Sequence, residues 1–227
     1  WTLAQGAAPA LARFGAGFLT RDAWNPVRDS YGVGPALVGT LVTAALALAL
    51  AAPLAVAVAV YVAELAPPWL ARPLALLVDL LAAVPGVVYG LWGLHVLVPA
   101  LRAPVGPSLL AASLVLAVMI APFVAAVARE VLRAVPASQR EAALALGATR
   151  WETTTDVVLP YAASGILGGV MLGLGRAFGE TIAVALVVGG RHAFASSLVA
   201  PGYTLSALLA NEYAEANDDL HLSALMA

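Results

Sequence analysis

The sequence predicts an all-α fold, a polytopic membrane helical bundle, and three observations carry that expectation. Of 227 residues, 62% are hydrophobic and only 11% are charged, against roughly 45–50% and about 25% in ordinary soluble domains. Mean hydropathy is +0.93, more apolar surface than one soluble globule of this length can hide. Three stretches carry no full charge, between Asp29 and Glu64, from Leu80 to Leu101 and from Ala103 to Ala128. Each reaches the roughly 20 residues that a helix needs to cross about 30 Å of hydrocarbon. Formal net charge is −2, with every basic residue an Arg, so the basic face of a nucleic-acid binder is absent. There is no Cys, which excludes disulfides, thiol catalysis and cysteine-based metal sites.

Taken along the chain, residues 1–35 read as a water-facing, partly structured lead-in, with Trp24-Asn25-Pro26 and Gly32-Val33-Gly34 at its turns. The chain opens on Trp1, and an apolar run begins at Leu225-Met226-Ala227, as expected of a piece of a longer protein. A first span is predicted at Gly39–Val62, kinked at Pro53, and Pro67-Pro68 then forces a turn. The second is predicted at Leu80–Leu101 with Pro85-Gly86 inside it, and the third at Leu109–Val127. A fourth, Gly165–Val188, has the length and hydrophobicity of a span but holds Arg176 and Glu180 near its middle. Arg191–Tyr203 reads as a loop and Asn211–Asp219 as a polar, acidic segment. Arginines do not orient the bundle. Arg72, Arg129, Arg133, Arg140 and Arg150 on one side face Arg13, Arg21, Arg28, Arg102 and Arg191 on the other, so the positive-inside rule is balanced.

The connector between the third and fourth spans is the most informative stretch. Ser138 with Glu141 and Thr149 with Glu152 form two capping-box patterns, and Gly147 stands where the first helix must end in a left-handed turn. The local chemistry gives helix, Gly turn, helix. A DNA-reading helix-turn-helix is disfavoured by the flanking spans and by charges that nearly cancel. The order Glu141-Ala142-Ala143, three residues, Gly147, nine residues, Val157-Val158-Leu159-Pro160 resembles the EAA motif of ABC importer permeases, with Val157 in place of Ile. The resemblance implies a type I ABC importer permease fold, with six spans in the family and four to five represented here. It also implies that the connector, residues 131–160, is cytoplasmic. Glu141, Ala142, Ala143, Gly147, Leu159 and Pro160 would then couple the spans to a cytoplasmic ATPase, with the small alanines admitting its surface.

Further stretches resemble the phosphate importer permeases. They are Val84-Pro85-Gly86-Val87-Val88-Tyr89-Gly90-Leu91-Trp92-Gly93 and Gly173-Leu174-Gly175-Arg176-Ala177-Phe178-Gly179-Glu180-Thr181. Gly17-Phe18-Leu19-Thr20, Trp24-Asn25-Pro26-Val27, Ala210–Ala216 and Leu220-His221 are similar to the PstC-type rather than the PstA-type subunit. The resemblance implies an extracytoplasmic lead-in at 1–35, an importer transmembrane domain at 36–227 and a multi-pass place in the bacterial inner membrane. The implied partners are a second, PstA-type permease, two cytoplasmic ATPase subunits, an extracytoplasmic phosphate-binding protein, inorganic phosphate and the lipid bilayer, with no cofactor and no metal. Asp156 departs from the pattern, since relatives often carry a basic residue just ahead of the Val-Val-Leu-Pro run.

A full charge at mid-bilayer costs roughly 2.5–3.5 kcal/mol on insertion scales. Arg176 and Glu180, four residues apart, would share one face of a continuous helix. They are read either as a self-satisfied ion pair or as the face lining an oxyanion path, where the planar Arg fork suits phosphate oxygens and Thr181 adjoins it. Gly173, Gly175 and Gly179 leave that helix surface open for packing or passage. Asp79, near the start of the second span, either reaches the aqueous edge or belongs to the same path. His95 is expected to be packed and hydrogen-bonded, His192 and His221 to lie in polar connectors, and Trp92 and Trp151 to anchor or pack. No P-loop, no Lys, and no intramembrane Ser/His/Asp or His-Glu-x-x-His pattern is present, so the chain reads as a transport subunit and not an enzyme. Sulfate or molybdate is the alternative substrate.

Overall fold

A computed structural model describes residues 1–101, 106–216 and 218–227; Arg102, counted above, lies outside them. Among the described residues the regular structure is helical, with two isolated bridges, Asn25 to Ser30 and Gly189 to Gly202. The lead-in folds as α1 (Thr2–Phe14) and two tight turns, Gly15–Leu19 and Pro26–Arg28. Then come α2 (Gly34–Val60), which runs into a π turn at Tyr61–Leu65, and α3 (Pro68–Ala83). Next, α4 (Gly86–Trp92) passes through a second π turn, Gly93–Leu97, into α5 (Val98–Leu101). After α6 (Leu109–Arg133) and α7 (Ala137–Ala145), α8 (Arg150–Glu152) continues through a third π turn, Thr153–Val158, into α9 (Leu159–Gly179). The chain finishes with α10 (Ile182–Val187), α11 (Leu205–Glu212) and α12 (Asp219–Met226).

Among the described residues, three continuous helices are long and apolar enough to cross a bilayer: Gly34–Leu65, Leu109–Arg133 and Arg150–Gly179, of 32, 25 and 30 residues. At about 1.5 Å per residue each exceeds the roughly 30 Å of hydrocarbon. The broken pair from Pro68 to Leu101 counts as a fourth span if taken as one. Two expected spans are corrected. Leu80–Leu101 is not one helix, because the residue before a proline is pushed out of the helical region. Val84 accordingly takes φ −62°, ψ 130° and ends α3. Gly165–Val188 is not one helix either: α9 ends at Gly179, Glu180 and Thr181 are non-helical, and α10 begins at Ile182. Pro53, by contrast, sits inside α2 without ending it.

By contacts the chain divides into two compact units, one of residues 1–44, 86–116 and 178–227, the other of 45–85 and 117–177. In the first, the lead-in packs on the C-terminal helices around Phe18, Tyr31, Val33, Tyr203 and Leu208. Ala10 N donates to Ser223 Oγ across 2.9 Å, and Trp24 Nε1 donates to Glu212 at 3.0 Å. His221 is a core residue rather than part of a polar connector: it is 2% exposed and stacks on Tyr31 at 5.3 Å. Burial, with Asp218, Asp29 and Glu212 nearby, pushes the Tyr31 hydroxyl up to about 12. His95 is exposed on its π turn, not packed as expected.

The second unit is built on α2, α6 and α9, with Ala59, Val60, Ala128, Leu132, Val158 and Ala162 at its centre. Here glycines set the helix spacing. Gly165, Gly169 and Gly173 fall four apart on α9 and meet Val131, Val127 and Val124 of α6 in turn. A Cβ at any of the three would collide with the facing valine methyl. Small residues at this spacing let two helix backbones approach within a membrane.

Candidate functional site

The break between α9 and α10 carries three of the residues singled out in the sequence. Arg176 lies in the last turn of α9, and Glu180 and Thr181 follow its end, so Arg176 and Glu180 do not occupy one face of a continuous helix. Each has a partner within its own unit. The half-buried Arg176 places its guanidinium 5.4 Å from the centroid of the Phe123 ring, a cation–π contact that steadies the fork without using its N–H donors. Glu180 turns its carboxylate toward the break. Its Oε1 accepts from Ala183 N at 3.4 Å, and it lies so close to Gly86 that a Cβ there would overlap it. Gly86 therefore leaves the room that the carboxylate fills.

A break in an apolar helix frees backbone groups that lipid could not satisfy. Here side chains take over: Thr181 Oγ1 donates to Gly179 O at 3.3 Å, and Ser206 Oγ donates to Glu180 O at 2.7 Å. Gly90 lets α4 approach α10, since a Cβ there would stand 2.7 Å from Ala183 Cα. Of the glycines expected to open this surface, Gly173 is used in packing, while Gly175 and Gly179 have nothing within 4 Å of an added Cβ. Asp79 has its own partner on α6. Arg129, 7% exposed, donates to Asp79 Oδ1 and Oδ2 at 3.0 and 3.2 Å and to Ala75 O at 3.1 Å, which ties α6 to α3.

The connector folds largely as its spacing predicts. Thr149 and Glu152 form the reciprocal capping box, with Glu152 N on Thr149 Oγ1 at 3.3 Å and Thr149 N on Glu152 Oε2 at 2.7 Å. Gly147 has φ +91°, and Gly147 N and Ala148 N donate to Leu144 O and Ala143 O, the double bond pattern that closes a helix on a left-handed glycine. The other box does not form. Pro136 takes the cap position of α7, so Ser138 lies inside the helix and Glu141 is exposed beside it. The two alanines also part company: Ala142 is exposed, whereas Ala143 is 8% exposed and faces inward. A groove of about 560 Å³ runs along this hairpin, lined in part by Ala142, Leu146, Gly147, Asp156 and Val157. Leu146 is 90% exposed and Trp151 59%, a bare apolar surface on an otherwise polar connector. Leu159 packs against the core of this unit, and Pro160, without an N–H, comes two residues after the end of the π turn, where the helical ladder has just been widened.

Sequence reading missed two arginine partners, Arg129 for Asp79 and Arg140 for Glu64. The only signal for either was an Arg beside an apolar run with no local carboxylate at helical spacing. Among the described residues no group of three or more His, Asp or Glu side chains is placed to hold a metal ion.

Residues 54–204 match the family described as binding-protein-dependent transport system inner membrane component. A phosphate transport system permease protein PstC of Mesorhizobium japonicum is 41% identical over the whole of this chain and 76% of its own length. PstC of Pasteurella multocida is 43% identical over 99% of this chain and 77% of its own. A probable PstC of Methanocaldococcus jannaschii is 36% identical over 92% and 74%. Among solved structures, the crystal structure of an amino acid ABC transporter with histidines superposes with a TM-score of 0.57 at 18% identity, covering 84% of this chain and 82% of that one. The last likeness is one of fold.

Proposed function

Because the chain belongs to the binding-protein-dependent transport system inner membrane components, and among them to the PstC-type permeases, we propose that it carries inorganic phosphate through the plasma membrane as one half of an ATP-driven importer. It is a multi-pass membrane permease of an ABC importer. The other half of the path is a PstA-type permease, the energy comes from two cytoplasmic ATPase subunits, and phosphate is delivered by an extracytoplasmic binding protein. The observation that carries the substrate is the identity, near 40% over almost the full chain, to permeases named for phosphate transport.

Arg176 is the anion-handling residue. Its guanidinium is held by the Phe123 face, so its N–H fork remains free for phosphate oxygens. Glu180, at the helix break, and Thr181 border the path, with the negative charge of Glu180 keeping the anion from settling too tightly. Asp79 serves as the partner of Arg129. On the cytoplasmic side the α7 hairpin docks the ATPase through Glu141, Ala142, Leu146 and the groove that ends at Val157. Ala143 and Gly147 hold the hairpin's shape, and Leu159 and Pro160 pass its movement into α9.

Uptake of labelled phosphate by cells expressing Arg176→Ala, and by the double variant Arg176→Ala/Glu180→Ala, tests this reading at matched protein levels. Both are expected to abolish uptake, because an apolar side chain offers the anion nothing in exchange for its water. Near-parental uptake by the well-inserted double variant would reduce both residues to scaffold.

A further inference from the structure

The coupling hairpin is tied to the ends of α2 and α6 by a side chain whose position the docking reading leaves unused. Arg140, in the middle of α7, grips Glu64 with two prongs: Nη2 to Oε1 at 2.7 Å and Nε to Oε2 at 3.1 Å. Glu64 belongs to the π turn that ends the α2 helix, and its side chain is only 10% exposed. The same guanidinium donates from Nη2 to Leu132 O at 2.8 Å and from Nη1 to Val135 O, the carbonyls that close α6. One residue thus joins the ends of two spanning helices, α2 and α6, to the short helix that follows α6. The fork geometry fixes orientation as well as distance, and the carbonyls at a helix C-terminus favour a cation.

A hairpin held only at its ends would pivot when pushed, and the push would be lost in bending. The short linkers on either side of α7, residues 134–136 and 146–149, do not prevent this. A left-handed glycine turn follows α7, and α6 ends at Arg133, three linker residues before α7 begins at Ala137. We propose that Arg140 and Glu64 are positioning residues for energy coupling, a strut through which movement of α7 reaches α2 and α6. This rests on the docking reading above. The strut acts on the ratio of transport to hydrolysis, not on ATPase attachment, since Arg140 faces the spans and the exposed face of α7 remains as it was.

The test uses the full-length protein assembled with its partner permease, ATPases and binding protein in liposomes, with uptake of labelled inorganic phosphate and ATP hydrolysis read on the same sample. Arg140→Gln and Glu64→Gln are each expected to lower phosphate moved per ATP by about fivefold or more, the range of ordinary site-to-site coupling. The ATPases should still co-purify, and Arg140→Lys should recover part of the ratio. Because the chain has no native Cys, Glu64→Cys/Arg140→Cys with cysteine-free partners gives a second reading, in which a short bis-maleimide bridge should restore coupling lost without it. A parental ratio in Arg140→Gln, or no recovery on bridging, overturns the strut. So does failure of all these variants to insert, which would make the pair a folding contact. The docking reading is judged separately by Ala142→Arg on the exposed face of α7. If that variant keeps its ATPases and couples normally, docking falls; if it loses them while Arg140→Gln couples normally, only the strut falls.

Discussion

Replacing Gly169 by Ala adds one methyl where the nearest methyl of Val127 is 2.9 Å away, against 3.4–4 Å for an ordinary contact. At Gly165 and Gly173 the added carbon would meet Val131 at 2.6 Å and Val124 at 2.5 Å. Overpacking of this kind costs about 1–3 kcal/mol, while Ala in place of Gly in a helix returns about 1 kcal/mol. The net loss at each site is therefore roughly 0–2 kcal/mol. The triple variant is worse than any single one but short of additive, because all three push on α6 and its first displacement relieves the others. Gly168, on the same helix with nothing within 4 Å of an added Cβ, isolates the packing term, since Gly168→Ala keeps the helix gain without the collision. Full-length variants purified in mild detergent would be heated in steps and the fraction left in solution measured. Gly168→Ala should match or exceed the parent, the single ridge variants should fall below it, and the triple variant should fall furthest. A triple variant as heat-resistant as Gly168→Ala would refute the ridge as the element that sets α6 against α9.

Two further changes probe the charged and buried polar groups. Asp79→Ala should lower the amount of inserted protein while leaving uptake per molecule within about twofold, because the half-exposed carboxylate serves Arg129 and contributes modestly; normal amounts with lost uptake would place Asp79 in the path. Tyr31→Phe removes a buried hydroxyl with no hydrogen-bond partner among the described residues and should be neutral or stabilising by about 1 kcal/mol. The raised hydroxyl pKa means the fold binds a proton that the unfolded chain has released above about pH 10, so parental stability should fall as pH rises from 10 toward 12 and the Phe variant should resist that fall. Equal loss in both proteins on heating at pH 10–12 would contradict it.

What could be read from the sequence was local. Uncharged stretches between Asp29 and Glu64 and around Leu109–Val127 located two of the long helices, since helix length and transfer cost are properties of the segment itself. Thr149, Glu152 and Gly147 announced their caps for the same reason. Ser138 and Glu141 fit the same pattern and failed, because Pro136 is pre-set for the cap position and took it. The break at Glu180 was hidden. No proline marks it, the apolar character runs straight through, and it is sustained by Ser206 and by the space over Gly86, which lie far along the chain. Arg129 with Asp79 and Arg140 with Glu64 are separated by 50 and 76 residues. Only the packing of whole helices brings such pairs together, and a single sequence carries no mark of it. The inward turn of Ala143 against the outward turn of Ala142 likewise depends on which side of α7 the π turn at Thr153–Val158 covers.

Reconstitution decides the central claim. The full-length protein, its PstA-type partner, the ATPases and the phosphate-binding protein would be placed in liposomes, with accumulation of labelled phosphate, sulfate and molybdate followed with and without ATP inside. Phosphate accumulation that requires ATP and the binding protein, with sulfate and molybdate left outside, is the expected result. Accumulation of sulfate or molybdate in its place, or phosphate entry that proceeds equally without ATP, would contradict it.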